Sequence, residues 1–159
     1  MSFNWEAFAA AEPAFAQTVE DRFTKYTHHV LATLRKDGSP RTTGLEVRFL
    51  NGELWLGMMP RSVKALDLLR DPRFALQANP GAGAEMTDGD ARITGRAIEV
   101  RDPQERAKYV GEVQPPSPDS FHLFRTELTE VVRTSLKDNA YLLLETWKPG
   151  EPLRRTKRA

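Results

Sequence analysis

The 159-residue sequence has no cysteine, which excludes disulfides, thiolate metal sites and a cysteine nucleophile. It has no apolar run near the roughly 18 residues that cross a bilayer, so no membrane span is expected. Its opening, Met1-Ser2-Phe3-Asn4-Trp5-Glu6, lacks the basic and then apolar stretches of a secretory signal. With no other address, the expected location is the cytoplasm. Net charge is also scarce: 23 Lys and Arg against 22 Asp and Glu leave +1. That balance argues against a dedicated nucleic-acid binder, which carries a net basic face. The three histidines, His28, His29 and His122, lack paired metal spacing. Neither a Gly-x-Ser-x-Gly elbow nor a Walker loop occurs. An enzyme built from this chain relies on other groups or on a bound cofactor.

What is there is an ordinary globular composition, 40% hydrophobic and 28% charged. The length predicts one domain over residues 1–159. Residues 4–23 carry Phe8, Phe15, Val19 and Phe23 in one stripe, and Pro13 divides them into two short helices. From His29 the pattern changes to alternation. His29–Arg35, Arg41–Leu50 and Glu53–Met58 read as a three-stranded antiparallel meander, the last two joined by Asn51-Gly52, a strong hairpin signal. Arg61–Arg70 reads as a helix capped by Ser62, with Val63, Ala65, Leu66 and Leu69 as its apolar face and Asp71-Pro72 as its end.

Phe74–Ala78 is a short strand, and Asn79–Gly83 a loop. Ala91–Arg101 is a long strand with a phase change near Gly95 that signals a bulge. Asp102-Pro103-Gln104-Glu105 opens a helix running to about Val113. Phe121–Arg125 reads as a short turn or helix. Strands over about Glu127–Leu136 and Ala140–Trp147 follow, joined by Lys137-Asp138-Asn139. The basic residues Arg154 to Arg158 read as a solvated terminus. About six strands without regular helix alternation predict a mainly β fold, an antiparallel barrel with helical inserts.

The segment Met58-Met59-Pro60-Arg61-Ser62-Val63-Lys64 takes the chain from a strand into a helix. Free N–H groups and the helix dipole place positive potential there, and Arg61 and Lys64 add two charges. This makes a candidate phosphate pocket. A second segment, Arg41-Thr42-Thr43-Gly44, offers a guanidinium, two hydroxyls and a small residue where a flat ligand can approach the backbone.

The order Asp37-Gly38-Ser39-Pro40-Arg41, Asn51-Gly52, Leu54-Trp55-Leu56, Ser62-Val63-Lys64-Ala65 and Leu69-Arg70-Asp71-Pro72-Arg73 resembles the pyridoxamine 5′-phosphate oxidase-like superfamily of flavin- or deazaflavin-binding split β-barrels. His122–Arg125, Leu128–Val132 and Glu145–Gly150 are also similar to members of that group. The resemblance implies a six-stranded FMN-binding split barrel. It implies a homodimer with cofactor at the subunit interface and a small-molecule oxidoreductase activity. It places the flavin ring along Thr42, Thr43 and Gly44 with Arg41 adjacent. The phosphate falls at Met58, Met59, Arg61, Ser62 and Lys64, and a ring or ribityl contact at Gln77. Thr43 and Arg48 stand nearest the positions where true pyridoxine phosphate oxidases carry an Arg and a Lys, and their C-terminal substrate segment is not recognisable, so oxidation of vitamin B6 is not the expected reaction. The deazaflavin coenzyme, with Arg41, Arg48 and the basic tail as its groove, stays open. So does non-catalytic binding of flavin or haem, with His28, His29 or His122 as the haem ligand.

Overall fold

The structure, a computed structural model, describes residues 3–81 and 88–159. The expected loop at Asn79–Gly83 lies outside the described residues from Ala82 onward. Two helices come first, α1 (Trp5–Ala11) and α2 (Pro13–Lys25). The strands β1 (His29–Leu34), β2 (Pro40–Leu45), β3 (Val47–Leu50) and β4 (Glu53–Met58) lead to α3 (Val63–Arg70). Then come β5 (Arg73–Gln77), β6 (Asp90–Glu99), α4 (Pro103–Val113), β7 (His122–Lys137), β8 (Tyr141–Trp147) and β9 (Arg154–Arg158).

Local chemistry accounts for most boundaries. Asn4 caps α1 by accepting from the Ala7 N–H at 2.9 Å. Pro13 occupies the first turn of α2, where its missing N–H costs nothing, so the expected division of the N-terminal helices is found. Asp102 caps α4 with Pro103 behind it. Asn51 and Gly52 both take positive φ, 55° and 77°, and Leu50 pairs with Glu53. A two-residue loop of that kind matches the twist of its strands.

All strand pairings are antiparallel, in the order β2-β1-β5-β6-β7-β4-β3, with β8 added to β7 and β9 to β8. The expected meander is corrected here. Arg41–Leu50 is one extended run, but it changes partner at Glu46: β2 pairs with β1, and β3 with β4. These two strands stand at opposite ends of a seven-strand path, yet one residue joins them. Their ends therefore lie within about 7.6 Å, and the sheet rolls into a barrel left split between β2 and β3.

Two further expectations give way. The segment expected as a turn or helix at Phe121–Arg125 is strand from His122 onward: it opens the 16-residue β7, which pairs with β6 along one side and with β4 and then β8 along the other. The basic tail forms β9 in register with β8, Leu144 opposite Thr156. Nine strands are thus seen among the described residues where six were expected.

The barrel interior is filled by Leu31, Leu45, Leu54, Leu56, Phe74, Leu76, Ile93, Leu128 and Val131. The N-terminal helices seal one end: Trp5, Phe8, Phe15, Val19 and Phe23 join the same core, with Phe8 tilted against Trp147 at 4.6 Å. A smaller cluster of Trp55, Val100, Tyr109, Phe121 and Leu123 lies under α4. Trp55 and Trp147 are core residues, as expected.

The expected bulge is present between Thr94 and Gly95. A Cβ on Gly95 would stand 2.1 Å from the Glu127 carbonyl oxygen, a backbone atom that cannot step aside. Gly95→Ala is therefore expected to lower unfolding free energy by about 3 kcal/mol. Chemical denaturation checks this; an unchanged midpoint would contradict the bulge geometry.

Candidate functional site

The strand-to-helix junction is built as follows. Met58 ends β4 and is buried, whereas Met59 is 76% exposed. The Ser62 N–H donates to the Met59 carbonyl at 3.2 Å, closing a turn with Pro60 and Arg61 in its centre. Ser62 then caps α3: its Oγ accepts from the Ala65 N–H at 3.4 Å. Arg61 stands exposed at the mouth with φ +56°.

Lys64 leaves the first turn of α3 and reaches across to β2, where its Nζ donates to the Gly44 carbonyl at 2.7 Å. Burial pushes the Lys64 ammonium pKa down. Among the described residues no carboxylate lies within 4.0 Å of Lys64 or of Arg61. A partly desolvated cation with no counter-charge, at a helix N-terminus, calls for an anion.

β2 supplies the neighbouring surface. Thr42 and Gly44 are exposed on its outer face, and a Cβ on Gly44 would meet nothing within 4 Å. In register, Gly44 pairs with Val30 and Val30 with Gln77, so Gly44 and Gln77 lie in one cross-strand row. Two strand spacings make that row about 10 Å wide. Gln77 also donates through Nε2 to Asp90 on β6. Thr43 faces the other way, and its buried Oγ1 has no hydrogen-bond partner.

Arg41 is not at the mouth as a free fork. Its Nε donates at 2.7 Å to Asp67 Oδ2 on α3, and Thr33 Oγ1 donates to the same oxygen at 2.8 Å. Burial pushes the Asp67 carboxyl up, but the Arg41 and Thr33 hydrogen bonds outweigh it and hold the pKa below the usual carboxylate range. This buried acid locks α3 to β1 and β2, and so sets the distance Lys64 must span. Spacing along the chain did not reveal it; an acid between Ala65 and Leu68, the buried side of α3, was the available signal.

The apolar face expected for α3 is also corrected. Ala65 and Leu68 are buried, while Val63, Leu66 and Leu69 are 51%, 44% and 44% exposed. The last three lie one turn apart along one side of the helix.

Beside the junction is a cleft of about 240 Å³ lined in part by Met58, Met59, Arg48, Tyr109, Pro116 and Phe121. Burial pushes the Tyr109 phenol up, and its hydroxyl passes close to Gly57, 3.0 Å from where a Cβ would stand. Arg48 lines this cleft, its Nη2 3.7 Å from Glu46. A second cleft of about 290 Å³, at Glu53, Trp55 and Arg125, contains none of the expected site residues.

The histidines separate. His28 is exposed, 3.3 Å from Glu46. His29 is buried with both ring nitrogens engaged: one meets the Phe23 carbonyl at 2.8 Å, and the other accepts from the Asn79 N–H at 2.9 Å. His122 Nε2 accepts from the Arg61 N–H at 3.1 Å. Among the described residues no group of three His, Asp or Glu is placed to hold a metal ion.

If Asp67 holds the two elements in place, Asp67→Asn leaves Arg41 without its anion. The expected loss is about 3 kcal/mol of stability, read as a lower urea midpoint. A midpoint within error of the parent would show that the pair is dispensable.

Comparison with known proteins bears on this arrangement. No curated protein matches the chain in sequence. Among solved structures, a pyridoxamine 5′-phosphate oxidase-related, FMN-binding protein from Nostoc punctiforme is 16% identical, with 97% of this chain and 99% of that one aligned and a TM-score of 0.66. PhzG from Burkholderia lata, solved with tetrahydrophenazine-1-carboxylic acid, is 13% identical, with 96% and 92% aligned and a TM-score of 0.68. At those identities the likeness shows the fold, a split barrel of the FMN-binding type. The family model described as pyridoxamine 5′-phosphate oxidase matches residues 15–135, a span that takes in both β2 and the Lys64 junction. The chain belongs to the pyridoxamine 5′-phosphate oxidase family.

Proposed function

We propose that this chain binds FMN and acts as a flavin-dependent oxidoreductase on a small molecule other than a pyridoxine phosphate. The observation that carries the reading is the uncompensated Lys64 ammonium at the α3 N-terminus, fastened to the carbonyl of Gly44. The residues present fit a phosphorylated flavin. Lys64, Arg61 and the Ser62 end of α3 meet the phosphate. The open backbone on the exposed face of β2, at Thr42 and Gly44, faces the ring, where a Cβ on Gly44 would meet nothing within 4 Å. Flavin, when bound, supplies hydride transfer, while the protein orients and tunes it.

The chain's own residues do the rest. Lys64 neutralises the phosphate and, through the Gly44 carbonyl, fixes β2 against it. The cleft beside Met58 receives the substrate: Met58, Pro116 and Phe121 exclude water, and Arg48 and Tyr109 offer hydrogen bonds to a polar group. FMN is preferred to a deazaflavin with a long acidic tail, because two cations of the expected groove are engaged. Arg155 pairs with Glu145 at 3.1 Å, and Lys157 sits over the Tyr141 ring. Haem is disfavoured because both nitrogens of His29 and one of His122 are committed. A cytoplasmic location suits an FMN enzyme; no helix among the described residues is long and apolar enough to cross a membrane.

The exposed side of α3 supports a homodimer with the cofactor near its interface. Val63, next to Lys64 in sequence, begins this row with Leu66 and Leu69, and all three stand exposed among the described residues.

Two measurements test the reading. Arg61→Ala with Lys64→Ala is expected to weaken FMN binding about a hundredfold, since each charge-assisted contact contributes about 1.5 kcal/mol. Fluorescence titration that finds parental affinity removes the phosphate site. Leu66→Glu, at an exposed position, is expected to leave the fold intact and to convert a dimer into a monomer in light scattering. A variant that stays dimeric places the interface elsewhere.

A further inference from the structure

The turn that carries Arg61 into the mouth is strained, and something holds it. With Pro60 second and Arg61 third in a turn closed from Ser62 N–H to the Met59 carbonyl, Arg61 takes the left-handed conformation, φ +56°, rather than the negative φ open to any residue there. Glycine or asparagine is the usual occupant of that conformation; an arginine there is strained. The N–H of Arg61 points out of the turn and away from any helical acceptor. It is caught by His122 Nε2 at 3.1 Å.

His122 is itself well placed to accept. It begins β7 directly opposite Met58, the last residue of β4, so the strand ladder sets the imidazole beside the turn. Its ring lies nearly parallel to Phe124, with centroids 6.4 Å apart. Its other nitrogen, Nδ1, faces Glu99 Oε2 on β6 at 3.8 Å, a buried oxygen with no hydrogen-bond partner. A carboxylate on that side favours the tautomer with its proton on Nδ1, which leaves Nε2 free to accept. Arg101 holds the other Glu99 oxygen at 2.6 Å.

Resting on the FMN reading above, we infer that His122, oriented by Glu99, is a positioning residue. By accepting the Arg61 N–H it keeps the 59–62 turn in its strained form, aims Arg61 at the phosphate and sets the first turn of α3. Its contribution is confined to the phosphate end of the ligand, so it governs preference for FMN over riboflavin rather than binding of the ring.

The test is titration of FMN and of riboflavin, in parallel, into the parent protein, His122→Phe and His122→Gln. Phe keeps a flat ring on Phe124 but has no acceptor; Gln restores a carbonyl oxygen. The inference expects His122→Phe to lose about tenfold in FMN affinity while riboflavin affinity stays within about twofold, and His122→Gln to recover most of the loss. It is overturned if His122→Phe binds FMN as the parent does, if both ligands weaken equally, or if Gln fails to recover. A parent protein that binds no FMN instead overturns the cofactor reading itself, and the inference with it.

Discussion

The reach of Lys64 from α3 to the Gly44 carbonyl ties the rest of the site together. It connects a helix N-terminus to a strand edge, and it does so with a charge that no acid among the described residues neutralises. A half-desolvated ammonium is costly unless an anion joins it. The fold tolerates that cost because Asp67, one turn further along α3, is satisfied by Arg41 and Thr33. One acid anchors the helix, and one cation is left over for a ligand. The division of labour between Arg41 and Lys64 is therefore the difference between a structural pair and a binding site.

The barrel's split serves the same end. Because the chain changes partner at Glu46, β2 pairs with β1 along one edge and with no described strand along the other, and its outer face is exposed. Gly44 and Thr42 stay open there, and the exposed Val63, Leu66 and Leu69 lie on the helix that Lys64 leaves. A fully buried α3 would have covered that apolar row. The same partner switch brings Arg48, on β3, to the wall of the cleft beside Met58.

How much of this was legible in the sequence depends on how local the cause is. Asn51-Gly52, Pro13, the Ser62 cap and Asp102-Pro103 act through atoms a few residues away, and each stands where it was read. Gly95 announced its bulge because the apolar phase slips there. Partner choice is different. Nothing in Arg41–Leu50 marks Glu46 as the place where one extended run leaves β1 for β4, since both halves alternate equally well. Arg154–Arg158 is polar on both faces and reads as solvent-exposed, which it is, but the β8 edge pairs it into a strand. At the site, Arg61, Ser62 and Lys64 share a junction that periodicity and charge expose. The roles of Asp67 and His122 arise from contacts across 26 and 61 residues, which no local spacing encodes.

The state of a bound phosphate reports on the uncompensated cation without reference to any substrate. In phosphorus-31 NMR of FMN added to the protein, a phosphate held by Lys64, Arg61 and the α3 N-terminus should give a resonance distinct from free FMN. That resonance should keep its position as pH is lowered through about 6, where the free phosphate takes up its second proton. A signal that coincides with free FMN and titrates like it would show that the junction holds no phosphate, and the proposed site would be wrong.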